Sequence, residues 1–243
     1  MKRPKIPIMK GIPKTEYPKL ITATVFAAAM GFLESAVVVY LRQLYYPGGF
    51  SFPLKPLMDN RIMAVEGARE LSTLVMLLAV AYLAGKNRKD RFAYFLLTFA
   101  VWDIFYYVGL KVVLGWPESF QTFDILFLIP WPWVSPVLAP VAASLTMIVL
   151  ALCLLRARGN PNYTEWVLWV AGSFAILVTF LEDYGRIILE GGYFKDFLNL
   201  ASNPGLKASL SSHVPGNYNW SLFIAGEIII STGIYVLYQR CGK

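Results

Sequence analysis

The chain has 243 residues and a formal net charge of +7, with 57% of its residues hydrophobic and 15% charged. Soluble domains carry about 25% charged residues, so these values exclude an ordinary water-soluble fold and indicate a polytopic membrane protein. The basic excess calls for no nucleic-acid partner, because it gathers in short segments between apolar runs, as the positive-inside bias requires.

Residues 1–19 form a basic, proline-interrupted tail (Lys2, Arg3, Lys5, Lys10, Lys14, Lys19) suited to anionic lipid headgroups. The first apolar run, Leu20–Leu41, reaches about 33 Å as a helix, which is too long for a cleaved signal and long enough to span. A second span is expected over Arg61–Leu83 and a third over Phe92–Gly115. Asp124–Pro130 is too short to cross, so an interfacial or re-entrant segment is expected near 119–134. The proline-rich stretch Ile129–Pro140 leads into a fourth span ending near Leu155. A fifth covers Trp166–Leu189 and a sixth Trp220–Tyr238. The expected fold is therefore all-α, a bundle of six transmembrane helices forming a single domain over 20–239, with a short tail at 240–243.

Most of the 22 Lys and Arg lie in the first tail, around Lys86–Arg91, at Arg156 and Arg158, and at the chain's end. That distribution places both termini on the cytoplasmic side of the cell (inner) membrane. The loops on the opposite side are rich in Pro, Gly and aromatics, and Trp116, Trp131, Trp133 and Trp220 suit an interfacial belt.

The acids and bases inside the spans are lopsided. The cytoplasmic halves contain none, whereas the outer halves and their flanks hold Glu34, Arg42, Glu66, Arg69, Glu70, Asp103, Lys111, Asp124, Glu182, Asp183, Arg186 and Glu227. A charge at the centre of a spanning helix costs about 2.5–3.5 kcal/mol on insertion scales, so such a gathering points to function. Helical periodicity puts Glu66, Arg69, Glu70 and Thr73 on one face of the second span. Asp103, Tyr106, Tyr107 and Lys111 share an arc of the third, and Glu182, Asp183 and Arg186 an arc of the fifth. A common outward-facing chamber would let all of them escape lipid.

Within that chamber Glu66, Glu70, Asp103, Glu34, Glu182 and Asp183 are the candidate catalytic acids and bases. Arg42, Arg69, Tyr106, Tyr107, Lys111 and Arg186 are the candidate substrate-binding groups, suited to phosphate or carboxylate. Carboxyls outnumber cations, so the excess is carried as protons or met by a bound divalent ion. Glu66, Glu70 and Asp103 are oxygen ligands that suit Mg²⁺ or Mn²⁺. No haem or zinc is expected, since His213 is the single histidine and neither Cys153 nor Cys241 has zinc-ligand spacing. The bland explanation is structural pairing: Arg69 with Glu66, Arg186 with Glu182, and Lys111 with Asp103 or Tyr107. Glu118, Glu165 and Glu190, near loop boundaries, are expected to be solvent-exposed.

The pattern fits an acid/base- or metal-dependent enzyme acting on a lipid or lipid-linked substrate. A non-catalytic subunit of a membrane complex is the main alternative, and a proton- or cation-coupled transporter the third. The expected partners are membrane lipids, with other membrane subunits or a second copy of the chain as further candidates.

Overall fold

A computed structural model describes residues 11–53, 60–195 and 203–241. Most of the basic first tail, part of the loop before the second span and residues 242–243 lie outside the described residues. Six helices are long and apolar enough to cross a membrane. They are α1 (Tyr17–Tyr45), α2 (Asn60–Ala84), α3 (Arg88–Leu114), α4 (Leu138–Arg156), α5 (Tyr163–Glu190) and α7 (Trp220–Cys241). A short helix α6 (Pro204–Ser212) lies in the loop before α7.

Local chemistry sets the helix ends. The Asn87 side chain accepts from the Asp90 backbone N–H at the start of α3, and Gly115 closes that helix in the left-handed region at φ 67°. Asn162 and Glu165 form a reciprocal capping box at the start of α5. Asn203 caps α6, with Pro204 in its first turn.

The expectation of an all-α chain is corrected by a small antiparallel hairpin, β1 (Phe123–Phe127) and β2 (Trp133–Pro136), where a re-entrant or interfacial segment was expected. Asp124 faces Ser135 and Ile125 faces Val134 in its register. Aromatic and β-branched residues favour a strand over Phe123–Phe127, and Pro130, Pro132 and Pro136 remove donors that a helix would need.

Helix α3 is the hub, packing against α1, α2 and α4. Helices α5 and α7 form a second unit, and it meets the first through α4 against α7 and through β2 against α4 and α5. The α5–α7 seam depends on two glycines. A Cβ at Gly172 would lie 2.7 Å from the Gly226 carbonyl oxygen and 2.6 Å from Ile230. Small residues of this kind let spanning helices approach backbone to backbone.

One end of the bundle is tied by polar links between loops. Lys86 bonds Glu16, and that hydrogen bond holds the Glu16 carboxyl below its ordinary value. Lys89 donates to the Ala157 carbonyl, and Arg240 donates to the Asn160 carbonyl and to both oxygens of Glu165 at 2.8 Å. Glu165 is fully buried rather than exposed as expected, because it serves the α5 cap and Arg240 at once. Glu118 and Glu190 are exposed.

Gly172→Ala is expected to destabilise the α5–α7 unit by about 1–3 kcal/mol through overpacking. Gly216→Ala, whose added Cβ would meet nothing within 4 Å, serves as the neutral control. Thermal unfolding in detergent should show a lower midpoint for the first variant alone.

Candidate functional site

The acids and bases of the spans are spread over several places rather than one chamber. The largest group sits where α1, α2 and α3 meet the β1–β2 hairpin. On α2, Glu66 and Arg69 pair one turn apart, with the Arg69 Nε to Glu66 Oε2 distance 2.8 Å, as helical periodicity anticipates. Arg69 also reaches across to Glu34 of α1, which in turn accepts from the Thr73 hydroxyl at 3.4 Å. Glu66 and Glu70 are buried at 5% and 7% exposure.

Glu70 turns the other way, toward the hairpin. Its two carboxyl oxygens accept the Leu128 backbone N–H at 3.0 and 3.1 Å. That N–H belongs to the residue after β1, where strand pairing has ended and a donor would otherwise be left over. Asp124, inside β1, is 1% exposed and accepts from Arg42 of α1 at 3.0 Å and from the Tyr106 hydroxyl of α3 at 3.3 Å. Burial pushes the Asp124 carboxyl up from its ordinary value, with Arg42 the chief opposing influence. Tyr107 lies beside Tyr106, edge to face, at a centroid separation of 4.9 Å.

Arg42 is held on more than its charge. Its guanidinium carbon lies 3.7 Å from the Trp116 ring centroid and 4.6 Å from that of Phe50, so the cation sits against two rings that are themselves set edge to face, while it bonds Asp124. Stacking of this kind suits arginine, whose planar cation is weakly hydrated, and it gives Trp116 a partner inside the protein. Further along the hairpin, Trp131 donates to the Leu181 carbonyl of α5 at 3.2 Å, and Trp133 stacks on Phe180. The hairpin is thereby clasped by α1, α2, α3 and α5.

Asp103, on α3, borders this group. It accepts from Ser144 of α4 at 2.8 Å and lies within electrostatic reach of Asp124. The group thus gathers five carboxyls, Glu34, Glu66, Glu70, Asp103 and Asp124, around two guanidiniums, Arg42 and Arg69.

The remaining candidates sit elsewhere. Glu182 and Arg186 pair on α5, and Glu182 also accepts from Asn219 at 3.2 Å. Asp183 faces His213 at 3.6 Å. Glu227 of α7 accepts from Thr146 of α4 at 2.6 Å. Lys111 pairs with neither Asp103 nor Tyr107; it donates to the Gly115 and Pro117 carbonyls and closes the end of α3. A lysine in the last helical turn finds the unsatisfied carbonyls nearer than any acid.

The three candidate metal ligands do not converge. Among the described residues, no three of His, Cys, Asp and Glu converge where one ion could be held. Glu66, Glu70 and Asp103 turn toward Arg69, Leu128 and Ser144 respectively, so they do not form a common ligand set.

Sequence reasoning counts Asp124 among the gathered charges without giving it a role, and leaves Ser144, Trp116 and Phe50 out of the site. Asp124 had a signal, because a lone acid inside the apolar run Asp124–Pro130 needs a partner if it is buried. The aromatic stack on Arg42 had none, since loop tryptophans are equally expected at a lipid interface.

Arg42→Ala should cost about 3–5 kcal/mol, because it strands a buried carboxylate. Removing Asp124 as well should recover part of that loss, and Arg42→Lys should not restore the wild-type value, since the stack needs a planar cation. A double-mutant cycle on thermal unfolding in detergent measures both effects. Comparison of the chain with protein-family profiles, with curated proteins and with solved structures found no match, so what this site does rests on its own chemistry.

Proposed function

We propose that this multi-pass membrane protein uses the cluster between α1, α2, α3 and the hairpin as an acid/base site for a lipid or lipid-linked substrate. The observation that carries this reading is the uneven use of the cations. Arg42 is taken by Asp124, and Arg69 is shared by Glu34 and Glu66. Glu70 and Asp103 are instead held by neutral donors, the Leu128 backbone N–H and the Ser144 hydroxyl.

A clamp needs only as many carboxyls as it has cations and backbone donors to meet. Asp103 exceeds that need, and Glu70 uses a charged group where a neutral acceptor would serve. Two carboxyls free of ion pairing, Glu70 buried and Asp103 half-buried, are suited to passing a proton to and from a bound molecule. In this account Glu70 and Asp103 exchange the proton. Arg69, the less buried of the two cations, meets an anionic headgroup or phosphate, and Tyr107 supplies a hydrogen-bond donor, the Tyr106 hydroxyl being engaged by Asp124. The site draws on residues deep in apolar helices, which favours a membrane-borne substrate over a soluble one. No step is assigned to a metal ion, because the carboxyls do not share a centre.

A second reading has its own observation in favour. The ion pairs also fasten the hairpin, and a fastened hairpin on a six-helix bundle suits a non-catalytic subunit that presents it to a partner chain. Purification in mild detergent with a partner at fixed stoichiometry would favour that reading.

Glu70→Gln and Asp103→Asn keep the acceptor oxygens that Leu128 and Ser144 need, so both variants should fold with wild-type yield. Mass spectrometry of a panel of lipids and lipid-linked phosphates, incubated with the protein in nanodiscs, should reveal a conversion that each variant slows about 10²–10⁴-fold. Conversion at wild-type rate by both variants contradicts the proposal.

A further inference from the structure

The segment between α5 and α7 is tied to α5 at several points. Helix α6 packs on α5, with Leu206 fully buried. The Tyr218 and Thr179 hydroxyls lie 2.7 Å apart, and Asn219 donates to Glu182 at 3.2 Å. A further tie is His213, the residue that follows α6, whose Nε2 lies 3.6 Å from Asp183 Oδ1. That separation suits an ion pair and is too long for a hydrogen bond, and Nε2 is buried without a hydrogen-bond partner among the described residues. The imidazole packs edge to face on Tyr184, with ring centroids 5.3 Å apart. Tyr184 is fully buried, and its hydroxyl also lacks a hydrogen-bond partner among the described residues.

These contacts leave the closed segment finely balanced. A buried hydroxyl without a partner costs free energy that water returns on opening. The attraction between His213 and Asp183 opposes that cost while the imidazole carries a proton, and a neutral ring at the same distance offers a carboxylate little. Histidine is the side chain whose charge ordinarily changes between about pH 5 and 8, whereas the other ties are an apolar contact, a pair of hydroxyls and an amide–carboxylate bond. The His213 and Asp183 side chains are 25% and 27% exposed, so protons from solvent reach the pair. Among the described residues, the other charged or titratable groups around it belong to α5 and to the end of α1. Glu182 and Arg186 flank Asp183 and pair with each other, while Tyr184 and Tyr46 are phenols, neutral in this range.

We propose that His213 and Asp183 form a pH-operated latch that holds the α6 segment on α5. In acid the imidazolium meets the carboxylate and the segment stays closed over Tyr184. As pH rises the proton leaves, the pair loses its attraction, and residues 204–213 lift so that water reaches the Tyr184 hydroxyl. The latch engages the same stretch of α5, residues 181–185, that receives the hairpin through Trp131. It is a regulatory device separate from the acid/base site and operates whether or not that site turns over a substrate.

The test uses the isotope-labelled full chain in nanodiscs, purified without a polyhistidine tag. His213 is the chain's single histidine, so its imidazole NMR signal reports the proton on the latch directly. Hydrogen–deuterium exchange is read as protection factors, which removes the intrinsic effect of pH on exchange. Protection of residues 204–213 should fall about fivefold between about pH 5 and about pH 8, the factor that a partly exposed ion pair supplies. The midpoint of that fall should match the imidazole titration. His213→Gln and Asp183→Asn should each give the low protection at both pH values while leaving α1, α2 and α3 as protected as in the wild type. Protection of the wild type that does not change with pH, a midpoint more than about one pH unit from that of the imidazole, or a pH dependence that survives either replacement would each overturn the proposal.

Discussion

A hairpin lodged among helices has to satisfy its backbone and any charge it carries without relying on water, and this requirement organises the polar residues of the largest cluster. Strand pairing accounts for part of the backbone between Phe123 and Pro136. The rest is met from the helices: Glu70 takes the Leu128 N–H, Arg42 meets Asp124, and Trp131 reaches the Leu181 carbonyl. Because these partners come from α1, α2 and α5, the hairpin also joins the hub around α3 to the α5–α7 pair. A polar network of this kind is costly when half satisfied and specifying when complete.

The same arrangement explains why charged residues recur on one face of each helix without forming a single chamber. Glu34, Glu66 and Arg69 bind α1 to α2, while Glu182 and Asn219 hold the segment before α7 to α5. Each group resolves the cost of burying an ion locally, within reach of a side chain. Among the described residues the largest surplus of carboxyls over cations lies around the hairpin, and that surplus distinguishes a candidate site from a set of fasteners.

Much of the fold is legible in the sequence, since apolar runs of spanning length leave little freedom of interpretation and helical periodicity places Glu66, Arg69, Glu70 and Thr73 correctly on one buried face. The hairpin is less legible, because Phe123–Phe127 is an apolar run too short to distinguish strand from interfacial helix by period. Glu165 shows a different limit. Its position near a loop reads as exposed, whereas its burial depends on Arg240, which is 75 residues away in the chain. The separation of Glu227 from the α1–α3 cluster is likewise invisible to periodicity, which fixes the face of a helix but not the neighbour that face meets.

The clasp on the hairpin is tested most directly by hydrogen–deuterium exchange of the backbone amide of Leu128 in nanodiscs. It should exchange as slowly as amides within the helices, and Glu70→Ala should release it while leaving α2 and α3 protected. Rapid exchange in the wild-type protein, or protection that survives the loss of Glu70, would contradict the account.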